Sequence, residues 1–396
     1  MAICFEGSFT QQESIPEEGI EAAVRVMRSG RLHRYNMIDG EQSETGLLEA
    51  EFAAQMGAKY ALAVASGGYA MAAAMRAIGV KPGDKVLTNA FTLAPVPGSI
   101  ASVGAVPVFV GVTDQLVIDL KDLKAKIQET GAQVLLLSHM RGHLCDMDVL
   151  MQICDAASVQ VIEDCAHTMG ASWRGTLSGR HGVFGCYSCQ TYKHVNSGEG
   201  GLLVSDDAEA MARATMLSGS YMLYDRHPAG PPESAFKTIR YETPNVSGRM
   251  DNLRAAILRP QLRDLDCQIE RWADRYAIVE SALLDATSVT LIERPEDEVF
   301  VGSSIQFLLL DFSEQKILTF VDRCAKRGVE LKWFGGSEPT GFTSRYDSWR
   351  YVQSDRMPES DRILKAILDM RLPLTFSEED CSLIGQIICE EVQNAS

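Results

Sequence analysis

From residue 61 to residue 205 short apolar runs alternate with helical patterns, and this alternation restricts the fold more than any other feature of the chain. Residues 61–65 read as a strand and 69–78 as an alanine-rich helix closed by Gly79 and Pro82. Strands follow at 85–89, 106–110, 134–138 and 159–163, separated by helical stretches at 95–103, 120–129 and 147–157. Residues 182–188 and 201–205 read as a closing pair of strands. Strands joined through helices build a mostly parallel sheet covered on both faces. Ligands of such sheets bind beyond the carboxyl ends of the strands. Ser66, Phe91, His139 and Asp164 all fall at or just past such ends, so four strands point to one region.

Past about residue 258 the pattern changes. A long charged helix is expected over 262–286, then strands at 289–292 and 304–310 and a helix at 314–327. The division expected is a larger α/β domain over 1–258 and a smaller α+β domain over 259–396. Residues 224–241, rich in proline, glycine and charge, read as a surface loop.

The formal net charge of −16 opposes broad binding to nucleic acid or to an anionic membrane. The first residues show no basic stretch ahead of a long apolar run, so no leader is expected, and no apolar run approaches a membrane span. Ten scattered cysteines fit a reducing cytoplasm. Cys186 and Cys189 have no second pair at zinc-like spacing, so they are expected to be buried thiols and no metal is expected.

Chemistry concentrates between residues 161 and 201. Val161-Ile162-Glu163-Asp164 is an apolar run ending in carboxylates, Ser188 stands five before Lys193, and a glycine-rich return follows at Gly198-Glu199-Gly200-Gly201. That order suits pyridoxal 5'-phosphate. Lys193 would form a Schiff base with the aldehyde, Asp164 would pair with the ring nitrogen, and Ser188 would donate to the phosphate. Side chains alternate along a strand, so only one of Glu163 and Asp164 faces the cofactor. Ser66-Gly67-Gly68 joins a strand to a helix, where free N–H groups suit a phosphate. Phe91 is placed to lie on the ring and His167 to contact it. A lysine buried beside a cationic ring loses basicity, which suits proton transfer.

Taken together, these segments resemble the DegT/DnrJ/EryC1/StrS sugar aminotransferases. The resemblance runs from about Gly30 to Leu262 and is weaker beyond. It rests on Ser66-Gly67, Lys81-Pro82-Gly83-Asp84, Phe91-Thr92, Gly104 to Val108, His139 with Gly142 and Asp146-Met147-Asp148, Glu163 to His167, Ser188 to Gly201, and Arg249-Met250 with Ala255-Ala256. It implies the aspartate aminotransferase-like (type I) fold, a mostly parallel seven-stranded sheet with a smaller α+β C-terminal domain. It also implies a homodimer with sites at the subunit interface. Lys193 would carry the cofactor, with Asp164, His167, Ser188, Gly67, Gly68 and Phe91 around it. Two positions depart from the family. Gly68 stands where a hydroxyl residue is usual, and Ser247 stands where an asparagine reaches the partner's phosphate, which leaves Asn245 as the candidate.

The resemblance implies transfer of an amino group from an amino acid, L-glutamate being the expectation, to a keto- or aldehydo-sugar. The acceptor is either nucleotide-linked or a sugar acid such as 8-oxo-3-deoxyoctulosonate, as used in surface-polysaccharide (lipopolysaccharide) or secondary-metabolite biosynthesis. The segment Leu331-Lys332-Trp333-Phe334-Gly335-Gly336, with Pro339 to Tyr346, is closer to enzymes that aminate an eight-carbon sugar acid. Arg31, Arg34, Tyr35, Lys332 and Arg345 are the candidates for holding the acceptor. The alternatives are a sugar dehydratase, for which some members replace the lysine by histidine, and a regulatory protein that binds the cofactor.

Overall fold

Seven strands form the main sheet: β1 (Tyr60–Val64), β2 (Lys85–Asn89), β3 (Val106–Val110), β4 (Val134–Ser138), β5 (Gln160–Asp164), β6 (Phe184–Ser188) and β7 (Gly201–Ser205). The computed structural model describes residues 3–38 and 40–395; Met1 and Ala2, where the segment read for a leader begins, lie outside them. In space the order is β1-β7-β6-β5-β4-β2-β3. β3, β2, β4, β5 and β6 run parallel, and β7 runs antiparallel to both its neighbours.

The strands are nearly unbroken apolar runs because both faces of the sheet must be dry. Successive side chains alternate between those faces. Val86, Leu136, Ile162 and Phe184 pack under the helix Gly67–Ala77, with Ala70, Met71 and Ala74. Leu87, Leu135, Leu137 and Val161 pack on the other face with Leu123, Ile127 and Leu150. These helices are capped as their sequences require. Ser66, Asp119 and Asp146 each accept a first-turn amide, and Gly131 adopts the left-handed conformation that ends the helix Leu120–Thr130.

A second, antiparallel sheet holds β8 (Thr290–Leu291), β9 (Ser304–Leu308), β10 (Lys332–Trp333) and β11 (Ile367–Arg371) in the order β8-β9-β11-β10. Its core joins Ile305, Phe307 and Leu368 to Val279, Phe320 and Ile384 of the helices Leu265–Leu284, Glu314–Lys326 and Glu378–Ala395. Phe5 and Phe9 pack into this same core.

The long charged helix runs over Leu265–Leu284, and a second helix, Asn252–Arg263, precedes it and meets it at Asp264. One expectation changes. The segment read as a surface loop over 224–241 contains a helix, Phe236–Glu242. Phe236 is fully buried and stacks on Tyr224 with ring centroids 4.1 Å apart, so two aromatics anchor a stretch whose prolines and charges suggested exposure.

Candidate active site

The carboxyl ends of β1, β4, β5 and β6 converge on a cavity of about 500 Å³ lined by Ser66, Gly67, Gly68, Ser138, Asp164, His167, Ser188, Gln190 and Lys193. Its floor is set by strand alternation. β5 turns Glu163 away from the cavity, where His139 Nε2 lies 3.0 Å from it and the amides of Gly179, His181 and Gly182 each donate at 2.8 Å. Glu163 is therefore a saturated structural carboxylate, and His139 is its buried partner. Asp164, the next residue, faces the cavity. It accepts from Ser138 Oγ at 2.9 Å and from the Ala166 amide at 3.2 Å, and Thr92 Oγ1 donates to Ser138 Oγ at 2.9 Å. Burial pushes the Asp164 carboxyl up, while Lys193 and the Ser138 hydroxyl pull against it.

Lys193 sits on the return from β6 to β7. Its Nζ lies 2.8 Å from His167 Nε2. Burial first, and then the positive field of Arg141, bring its pKa down to about 7, with Asp164 opposing. His167 is driven well below the usual imidazole range by burial and by Lys193 itself, so the ring is neutral. An amine at the edge of neutrality at physiological pH is both a nucleophile and a proton carrier.

At the opposite end the helix Gly67–Ala77 begins. Ser66 caps it through the Tyr69 amide at 3.1 Å, leaving the amides of Gly67 and Gly68 without intrahelical acceptors. Ser188 packs so closely on Gly67 that a Cβ there would lie 2.9 Å from the Ser188 Cβ. A hydroxyl, a helix N-terminus and two side-chain-free residues form an anion cradle.

The remaining candidates divide. Lys332 lies in the smaller cavity that adjoins Lys193, with Arg141, Gln190, Tyr192 and Arg371. Phe91 does not line either cavity: it is buried edge-on against Phe334 with centroids 5.2 Å apart. The Asn89 side chain bonds the carbonyls of Phe91 and Ser138 at 2.9 Å, and the turn it fixes brings Leu93 to the cavity wall instead. Arg34 is 1% exposed and gives both terminal nitrogens to Glu49 at 2.7 Å, while Tyr35 Oη lies 2.7 Å from His227 Nε2. Both belong to a buried network rather than to a ligand wall. Arg345 is likewise committed to Asp347 and Asp361, and Arg31 pairs with Glu41. Asn245 lies on an exposed loop and bonds Ser247, outside the cavity of its own chain.

Arg141 and Arg371 carry a weaker sequence signal than Lys193. Arg141 stands just past the end of β4, like His139. Arg371 ends a run, Ile367-Leu368-Asp369-Met370-Arg371, whose charges alternate with apolar residues on one face of a strand. Of the segment 339–346, Pro339 and Gly341 to Ser344 reach the main cavity.

The chain matches the model of the DegT/DnrJ/EryC1/StrS aminotransferase family over residues 13–388. A Micromonospora echinospora protein named for L-glutamine:3-amino-2,3-dideoxy-scyllo-inosose aminotransferase activity is 38% identical over 54% of this chain and 49% of its own length. The chain thus spans about half of that relative. A 3-amino-5-hydroxybenzoate synthase of Amycolatopsis mediterranei is 33% identical over 77% of this chain and 76% of its own. Among solved structures, a 3-amino-5-hydroxybenzoic acid synthase superposes with a TM-score of 0.84 at 24% identity, covering 99% of this chain and 100% of its own. That likeness shows the type I aminotransferase fold. With the family match running nearly end to end, the chain belongs to the DegT/DnrJ/EryC1/StrS aminotransferase family, whose enzymes use pyridoxal phosphate.

Proposed function

We propose that this chain transfers an amino group from an amino acid to the carbonyl carbon of a sugar or sugar-like acceptor, with Lys193 as the residue that binds and serves the cofactor. The cavity fits pyridoxal phosphate in three respects. The cradle at Ser66, Gly67, Gly68 and Ser188 suits a phosphate. The buried Asp164 carboxyl, pushed up because its partners do not offset burial, suits a protonated ring nitrogen. Lys193 lies between them with its amine near neutrality.

When bound, pyridoxal phosphate supplies an aldehyde that exchanges between amines and a ring that accepts the electron pair left when the substrate's Cα proton departs. The protein's own residues do the rest. Asp164, fixed by Ser138 and the Ala166 amide, would hold positive charge at the ring nitrogen. Lys193 Nζ would take the Cα proton of the amino acid and return it at the cofactor's aldehyde carbon. Neutral His167, 2.8 Å away, aligns that amine by accepting one of its N–H bonds. Leu93 and Phe342 supply apolar surface to the cavity wall.

The donor reading is L-glutamate or L-glutamine. Relatives named for L-glutamine support the second as strongly as general transaminase chemistry supports the first. The family's sugar and cyclitol acceptors support an acceptor rich in hydroxyls, in secondary-metabolite or surface-polysaccharide synthesis. We also propose a cytoplasmic homodimer in which Asn245, exposed on its own chain, meets the partner's cradle. None of the helices among the described residues is long and apolar enough to cross a membrane.

The observation that carries the reading is the Lys193 amine held near neutrality between His167 and Asp164. Adding L-glutamate or L-glutamine to the yellow holoprotein should replace its visible absorbance with the near-ultraviolet band of the aminated cofactor. No change with any amino acid would overturn the proposal.

A further inference from the structure

β10 and β11 place three residues on one face of the smaller sheet. Lys332 stands directly opposite Asp369, and Arg371 lies two residues along from Asp369. Arg141, in the turn after β4, reaches across from the main sheet, and its Nη2 lies 2.7 Å from Asp369 Oδ2. Its left-handed backbone, φ 57°, aims the side chain this way. Arg141, Lys332 and Arg371 all line the smaller cavity beside Lys193 and His167.

The charges on this wall do not balance. Three cations face one carboxylate, Asp369, whose other oxygen is held by Gln306 Nε2 at 2.8 Å. Asp164 lies on the floor of the main cavity and is assigned to the ring nitrogen; Glu330 is exposed. Arg141 Nε is buried with no hydrogen-bond partner among the described residues. Each cation lowers the basicity of its neighbours, as Lys332, brought to about 8 chiefly by burial, shows. A wall with this surplus is completed by an anion.

The cavity, about 50 Å³, admits a few water-sized groups and so a carboxylate rather than a nucleoside diphosphate. It contains none of Ser66, Gly67, Gly68 or Ser188, so the phosphate cradle is elsewhere.

We infer that Arg141, Lys332 and Arg371 form a carboxylate-binding subsite, and that donor and acceptor present a carboxylate to it in turn, so the acceptor is a sugar-like carbonyl compound that is also an acid. This rests on the reading of Lys193 as the reactive amine. The second half follows from rigidity. Arg141 is tied to Asp369, and Arg371 is tied to the Phe9 carbonyl at 2.8 Å and lies 3.7 Å over the Tyr192 ring. Neither can swing to solvent when a neutral acceptor replaces the amino acid, which would leave the surplus charge unpaired.

The test uses holoenzyme and calorimetric titration. Glutarate, a dicarboxylate with no amine to transfer, should bind the wild type and bind Arg371→Gln and Lys332→Met about 10- to 100-fold more weakly, the loss of one charge-assisted contact. Arg25→Gln, on the exposed pair with Glu21, should bind it unchanged. Lys332 is half-buried and its change leaves no buried carboxylate bond broken, so that variant tests the claim even if Arg371→Gln misfolds. The enzyme charged with its amine should bind D-glucuronate more tightly than D-glucose. Glutarate affinity that ignores both substitutions overturns the subsite; glucuronate no tighter than glucose overturns the acidic acceptor. Failure of the transaminase reading is separate: the absorbance would not respond to amino acids even where glutarate binds.

Discussion

Glu49 is the residue whose replacement tests the structure most severely outside the cavity. It is fully buried, it receives both terminal nitrogens of Arg34 at 2.7 Å, and it accepts the Ala63 amide at 2.8 Å, with His227 Nδ1 3.3 Å away. Burial alone would push its carboxyl up; Arg34 and His227 override burial and hold it at about 2. A carboxyl lowered from 4.5 to about 2 stabilises the fold by roughly 3 kcal/mol, at about 1.4 kcal/mol per pH step. Because the folded value is the lower one, this contribution is complete above pH 4.5 and is lost as pH falls toward 2. Glu49→Gln keeps the shape but strands the Arg34 charge, so the cost at pH 7 should be about 3–5 kcal/mol. Arg34→Met with Glu49→Leu removes both charges and should recover part of that, less about 1–3 kcal/mol for the Ala63 amide left without an acceptor. Denaturant unfolding followed by circular dichroism reads all three proteins. If Glu49→Gln unfolds like the wild type while Arg34→Met weakens binding of an anionic substrate, Arg34 belongs to the ligand wall and the structural assignment is wrong.

Three further outcomes follow from the cavity. Asp164→Asn should lower turnover by two to three orders of magnitude, the worth of a buried charge partner, while steady-state kinetics show little change in amino-acid affinity; unchanged turnover would remove Asp164 from the ring nitrogen. Gly68→Ser should tighten cofactor binding about 2- to 10-fold in equilibrium dialysis, since a Cβ there meets Ser99 Oγ only at 3.7 Å and the new hydroxyl faces the cradle; weaker binding would place the phosphate elsewhere. The rate at which cofactor-free protein takes up pyridoxal phosphate should rise through pH 7 and level above it, because the neutral amine of Lys193 reacts; a rise only near pH 10 would show an unperturbed lysine.

The main sheet was legible because both its faces are buried: Val134–Ser138 and Gly201–Ser205 are apolar up to a closing serine, and their limits agree with the expected ones. That Lys193, Asp164 and Ser188 face one cavity was legible because strand ends next to glycine-rich returns leave few places for a side chain to point. Phe91 was misplaced because the Asn89 side chain, not strand periodicity, directs the chain after β2. Arg34 and Arg345 were misread because a sequence does not show that Glu49, Asp347 and Asp361 neutralise them inside the fold. The helix Phe236–Glu242 was hidden by local composition, since its stability comes from Phe236 meeting Tyr224 across a turn. Arg141 gained its partner from a strand more than two hundred residues away, a contact only the tertiary structure reveals.

Borohydride reduction of the yellow holoprotein, followed by proteolysis and mass spectrometry, is the most direct measurement of the central claim. A pyridoxyl group on the peptide that carries Lys193, and its loss in Lys193→Ala, is the predicted result. A pyridoxyl group on another lysine, or on none, would contradict the account.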